Sequence, residues 1–314
     1  MKEVIKIATR ESYGKILEKL GAKYPNLVVL DADLVGATKT GYFQNSYPER
    51  HFDCGIAEAN MMGVAAGLAS EGFIPVVSSF AMFASGRAYE QIRNSVGYPA
   101  LNVKIIATHG GVSVGEDGAT HQCNEDIALM RTIPGMTVVC PADGVETEEA
   151  VKAVLEINGP VYMRLGRANI PQFNDSKNYS FTLGKGITLK EGKDITIVAT
   201  GLCVYESLLA AELLKEQGID AEVINIHTIK PIDKNLLISS AKKTGKVVTV
   251  EEHSTIGGLG SAVCDTLSEN APTPTLKIGV PDEYGRSGSA SQLLDHYGLT
   301  AEKIASRITA WLNK

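Results

Sequence analysis

Short β-branched runs ending in Gly, Asp or Pro alternate along this chain with longer segments of helical spacing, and no other feature restricts its fold as much. Parallel strands need crossover connections of a dozen or more residues, usually helices, so the alternation predicts an α/β protein with parallel or mixed sheets. Residues 27–31, 74–78, 103–108, 137–140 and 161–165 are the expected strands of a first sheet. From Pro171 to Gly184 the sequence turns polar, with neither a helical stripe nor a strand alternation, as a linker does. A second unit follows, with strands at 195–200, 221–226 and 246–251, a helix at 205–217 and another after Gly257. The expected organisation is therefore two α/β domains, 1–170 and 185–314, joined by a linker at 171–184. A chain of 314 residues is long enough for two ordinary domains.

Charge and apolar patterning exclude several functions. The 30 basic and 36 acidic residues give a formal charge of −6, and no cluster of Lys or Arg forms a nucleic-acid footprint or a polybasic membrane patch. No segment reaches the roughly 18 uncharged apolar residues of a membrane span, and charges interrupt the first ten residues, so a cytoplasmic protein is expected. The cysteines (Cys54, Cys123, Cys140, Cys203 and Cys264) are odd in number and contain no C-x-x-C pair, which predicts reduced, structural thiols and no zinc site.

Glu58 is the only charged side chain between Asp53 and Glu71, in a run of small and apolar residues. A helix apolar on all sides is buried in a core or against another chain, where an ionised group is costly unless paired or protonated. Two readings follow. The carboxylate stands near a helix N-terminus, which stabilises it by about 0.3–1 kcal/mol, or desolvation raises its pKa so that it holds and donates a proton near neutrality.

Phe80 and Phe83 stand three apart just past an expected strand. Alone such a pair packs in a core, but ligands of open parallel sheets bind at that edge. A loop after the next strand, from Thr108 to Gln122, holds Gly110, Gly111, Gly115 and Gly118, together with His109, Asp117 and His121. No G-K-[ST] closes it as a phosphate-cradling loop, and the two histidines lack the close spacing of common zinc ligands. What remains is a polar loop offering proton-transfer groups to a hydroxylated substrate. Arg10 and Arg167 are surface arginines in the ordinary reading and phosphate ligands if the substrate is phosphorylated. Gly257-Gly-Leu-Gly260 reads as a tight strand-to-helix turn.

Several motifs in order carry a resemblance: Thr9-Arg10, Ala32-Asp33-Leu34, Gly55-Ile56-Ala57-Glu58, Phe80-Ala81-Met82-Phe83, the stretch from Gly115 to Gln122, Pro141-Ala142-Asp143-Gly144, and Arg167 to Pro171. Over essentially its whole length the chain resembles the second half of transketolase, a pyrimidine-binding domain followed by the C-terminal domain. The resemblance implies that Glu58 bonds the aminopyrimidine of thiamine diphosphate and promotes loss of the thiazolium proton. It also implies that Phe83 stacks on the pyrimidine beside Phe80, and that His109, Asp117 and His121 contact the sugar. His121 then shares the proton transfers, and Arg10 and Arg167 hold the sugar phosphate. The cofactor carries the carbanion chemistry while the protein sets tautomer, orientation and electrostatics.

No Gly-Asp-Gly occurs in the chain. The magnesium and diphosphate ligands are therefore expected from a separate N-terminal-half subunit, with two copies of each chain assembling. Three departures from the family pattern stand out. Ala37 replaces a frequent phosphate-binding Ser, leaving Thr38 for that contact or losing it; Gly86 replaces an aromatic residue, implying a looser ring pocket; and Ala57 and Asn60 flank Glu58 in place of basic and imidazole residues. These departures keep a deoxyxylulose-phosphate-synthase-like or 2-oxoacid-decarboxylating relative open as the alternative enzyme, and a non-catalytic scaffold dimer as the alternative outside enzymes.

Overall fold

The computed structural model describes residues 5–314. Six parallel strands form the body of the first sheet: β2 (Leu27–Asp31), β3 (His51–Asp53), β4 (Ile74–Ser78), β5 (Lys104–Ala107), β6 (Thr137–Val139) and β7 (Val161–Arg164). The first strand, β1 (Lys6–Ala8), lies apart from them, paired antiparallel with β8 (Asn169–Pro171). The second sheet combines β9 (Ile187–Lys190), β10 (Ile195–Ala199), β11 (Ala221–Asn225), β13 (Val247–Ser254) and β14 (Thr275–Val280), in the order β14-β13-β10-β11-β9. Its strands are parallel except β9, which runs antiparallel to β11 at the edge.

The strand between β11 and β13 goes elsewhere. β12 (Thr228–Lys230) pairs antiparallel with β6, so the first sheet runs β12-β6-β7-β5-β4-β2-β3 and its end strand comes from the second unit. Without β12 the β6 edge would present unpaired amides and carbonyls. The short strands β1, β3, β8, β9, β12 and β14 give no clear periodicity in the sequence, because three to six residues with mixed burial do not resolve a period of two.

Helices cover both faces, which explains why the central strands read as continuous apolar runs rather than as alternations. Leu27, Val29, Leu30, Val76, Val77, Ile105 and Ile106 are all fully buried. One core cluster runs from Val28, Leu30 and Met62 under the first sheet to Ile224, Ile229 and Leu259 of the second unit, so the two sheets share an apolar seam. All five cysteines are free thiols. No helix among the described residues is long and apolar enough to cross a membrane.

Candidate functional site

The Glu58–Ser70 helix starts on Glu58, whose carboxylate is only 4% exposed. Met61, Met62, Ala65 and Ala66 turn that helix toward the core, while Asn60, Gly63, Val64 and Gly67 line an open face, so within this chain only half of the apolar helix is buried. Glu58 is not alone in its surroundings. Arg87 Nη1 lies 3.4 Å from both carboxylate oxygens, and the same guanidinium sits 4.3 Å above the Phe83 ring. Arg87 stands 29 residues away in sequence, at the end of a π-helical turn, Met82–Arg87, that widens the helix after β4. Single-turn π segments of this kind recur at functional sites.

Phe80 and Phe83 lie just past the C-terminal end of β4, near-parallel with centroids 5.8 Å apart. The next strand delivers its own ring to the same place. His109 follows β5, holds a left-handed φ of 58°, and stacks on Phe80 with centroids 3.7 Å apart. His121 meets Phe83 edge-on at 5.3 Å. The sheet edge thus gathers two phenyl and two imidazole rings beside a buried carboxylate.

Arg10, in the Thr9–Gly21 helix, donates to the Ala37 carbonyl at 2.7 Å and approaches His109 Nε2 at 3.4 Å. Its Nε is buried without a partner among the described residues, an unmet donor at the mouth of the site. Burial, then the nearby Arg167 charge, lowers the Arg10 pKa. Arg167 donates to the Val114 carbonyl at 2.6 Å and pairs with exposed Glu116 at 3.3 Å. Burial, followed by the charges of Arg10 and Arg167, depresses His109 to about 3, so its ring is neutral at working pH. Thr108 Oγ1 lies 2.8 Å from His109 Nδ1 and helps fix the ring. Asp117 is exposed on the loop and has no hydrogen-bonding or ionic partner among the described residues, so nothing joins it to the other site residues.

The loop from 110 to 122 lies flush on buried charge, which is why two of its glycines cannot be replaced. A β-carbon at Gly110 would overlap the Arg164 guanidinium, and one at Gly111, φ 82°, would overlap the Glu252 carboxylate. Arg164 is itself held by Asp126 at 3.0 Å and by the Glu252 carbonyl at 2.7 Å, while Glu252 accepts from Ser113 N. Glu252 belongs to β13.

Two of the departures can be placed, and at Ala37 the structure favours loss of the contact over its transfer to Thr38. Thr38 is fully buried and donates its hydroxyl to Asp31 Oδ2 at 2.7 Å, so it faces the interior and cannot replace a phosphate-binding Ser. At Gly86 a β-carbon would meet only the Met82 methyl, the far end of a flexible side chain. No group of three or more His, Cys, Asp or Glu among the described residues stands close enough to hold a metal ion. Arg87 and Gln122 are the neighbours that sequence reasoning did not single out. An arginine next to a quoted aromatic pair was the available signal for the first.

Comparison with known proteins assigns the lineage. Residues 5–172 match the family model of the transketolase pyrimidine-binding domain, and residues 184–304 match that of the transketolase C-terminal domain. The chain belongs to the transketolase family. It is 52% identical to a Methanocaldococcus jannaschii protein named for the C-terminal section of a transketolase, over 97% of this chain and 96% of that one. It is 48% identical to a 6-deoxy-6-sulfo-D-fructose transketolase subunit from a Clostridium species, over 94% and 91% of the two chains. A solved chain described as a split-gene transketolase, inactive beta4 tetramer, superposes with a TM-score of 0.88 at 52% identity over 97% of both. This transketolase-family chain matches these two-chain relatives over nearly their whole length, and its fold is that of the family's pyrimidine-binding and C-terminal domains.

Proposed function

We propose that this chain is the pyrimidine-binding subunit of a thiamine diphosphate-dependent ketol transferase, which moves a two-carbon unit between anionic sugars and needs an N-terminal-half partner. The observation that carries this reading is the nearly dry Glu58 carboxylate, joined through Arg87 to the Phe83 ring, at the sheet edge where Phe80, His109 and His121 gather. These residues fit an aminopyrimidine once the half-exposed Arg87 guanidinium moves off Phe83: aromatic rings from Phe83 and Phe80, and one carboxylate able to exchange a proton with a ring nitrogen. Bound there, the cofactor supplies the carbanion-stabilising chemistry that side chains lack.

The chain's own residues divide the remaining work. Glu58 holds or moves a proton at the pyrimidine, in a setting where little water competes. Neutral His109 offers the sugar hydroxyls a hydrogen bond, His121 accepts and returns their protons, and Asp117 reaches the same hydroxyls from the loop. Arg10 and Arg167 bind the anionic end of the sugar, with the unmet Arg10 Nε as a free donor for it. A sulfonated sugar names one relative's activity, so the recognised head is an oxyanion, phosphate or sulfonate. Magnesium and the diphosphate find their oxygen ligands on the partner chain, two copies of each completing the assembly. In support, the similar solved chain assembled without a second kind of subunit is described as inactive.

The test is reconstitution. Mixed with the N-terminal-half chain, magnesium and thiamine diphosphate, this chain should transfer a ketol unit from a ketose phosphate to an aldose phosphate, and neither chain should do so alone. Turnover of sugar phosphates by this chain free of any partner, or a reconstituted enzyme that consumes only pyruvate, refutes the proposal.

A further inference from the structure

Beside His121, the side chain of Gln122 is only 3% exposed and turns away from the site. Its amide Nε2 lies within bonding distance of three carbonyls: Val112 at 3.2 Å, Gly115 at 3.1 Å and Arg286 at 2.8 Å. Two of these belong to the start of the glycine loop, and the third belongs to the segment after β14. The fit is close on that second side. A β-carbon at Gly285 would overlap the Gln122 Oε1 atom, and one at Gly118, φ 74°, would overlap the Ser287 hydroxyl.

We propose that Gln122 is a positioning residue, the clamp through which the second sheet unit fixes the loop that carries His121. One amide ties both ends of the turn to the neighbouring unit, so losing it frees the backbone immediately preceding Gln122, which includes His121. The Glu252 contact beneath Gly111 anchors the other end of the loop; within 115–122 the backbone bonds, Gly118 to Gly115 and both His121 and Gln122 to Gly118, are local turns, and the Arg167–Glu116 pair is exposed, so Gln122 is the buried amide that ties this stretch to the second unit. A buried amide whose two N–H donors are shared among three carbonyls is replaced at a cost to position as well as stability, and a 1 Å misplacement of a catalytic group can lower rate about 10²-fold. The idea rests on the ketol-transfer reading for its effect on rate, though not for its effect on the loop.

Gln122→Ala removes the clamp from one side. Gly285→Ala dislodges it from the other without altering the first domain, because the new methyl displaces the amide. In the reconstituted enzyme each change should lower kcat about 10- to 100-fold while the KM of the sugar phosphate moves less than about threefold, since Arg10 is untouched. In the full chain each should speed hydrogen exchange of the 110–122 backbone. The double variant should be little worse than Gln122→Ala alone, because the overlapping amide is gone and, of the Gln122 atoms the methyl would meet, only the Cβ of residue 122 remains, 3.3 Å away. Losses that multiply, an unchanged kcat, or unchanged loop exchange in both single variants would overturn the clamp. If the wild-type mixture shows no ketol transfer, the functional reading fails first and the exchange measurements decide the clamp by themselves.

Discussion

Replacing Glu58 with Gln separates chemistry from folding. The side chain keeps its shape and loses its exchangeable acid. Its ionic partner, Arg87, is 54% exposed and makes only 3.4 Å contacts, so the pair is worth about 0–1 kcal/mol. Against this, burying a neutral amide at a site only 4% exposed is easier than burying a carboxylate. The two effects oppose each other, and the melting temperature should move by no more than a few degrees in either direction, about what 1 kcal/mol does in a domain of ordinary size. Turnover should fall at least about 10² to 10⁴-fold, the range for losing a positioned acid–base group. Thermal melting of the purified chain, together with initial rates of the reconstituted enzyme at saturating cofactor, reads both quantities. A variant with near-normal turnover would refute the assignment of Glu58, and one that melts far below the wild type would show that the carboxylate is structural.

Three further outcomes are expected. Arg10→Ala or Arg167→Ala should raise the KM of a phosphorylated sugar by the equivalent of about 1.5–3 kcal/mol, roughly 10- to 100-fold, and leave an uncharged sugar little affected; equal losses on both would make the arginines structural. Because the folded state holds His109 at about 3 while the unfolded chain takes up a proton near 6.5, stability from this residue is present above pH 6.5 and drains as pH falls toward 3. Denaturant titrations of His109→Asn at several pH values should show a flatter curve across that window, and an unchanged slope would contradict the neutral assignment. Arg87→Ala should leave the fold intact, as its side chain is half exposed, yet alter thiamine diphosphate affinity in the reconstituted complex, measured by calorimetry; no change would show that its contacts with Glu58 and Phe83 do not bear on the cofactor.

Local chemistry made part of the site legible in sequence. A lone carboxylate in an apolar run, two phenylalanines past a strand and a glycine loop with two histidines each depend on neighbours a few residues away. The structure then brings Glu58, Phe80, Phe83, His109 and His121 to one sheet edge, with Arg10 and Arg167 close by. Arg87 escaped because its pairing with Glu58 depends on a π-helical turn, and no periodicity announces where such a turn widens a helix. Whether Thr38 takes over the contact or it is lost could not be read locally for a related reason: polar residues on short helical turns face inward or outward according to what lies beneath, here Asp31.

The sequence by itself determined the α/β class, the principal strands and the chemical types at the site, because strand and helix periodicities and isolated charges are local properties. Only the tertiary structure decided that β12 completes the first sheet, that β13 places Glu252 beneath the glycine loop, and that the 285–287 segment closes on Gln122. The physical reason is that edge pairing, burial and van der Waals overlap join residues 90 to 170 positions apart, and their energies exist only once two separately patterned units have packed together.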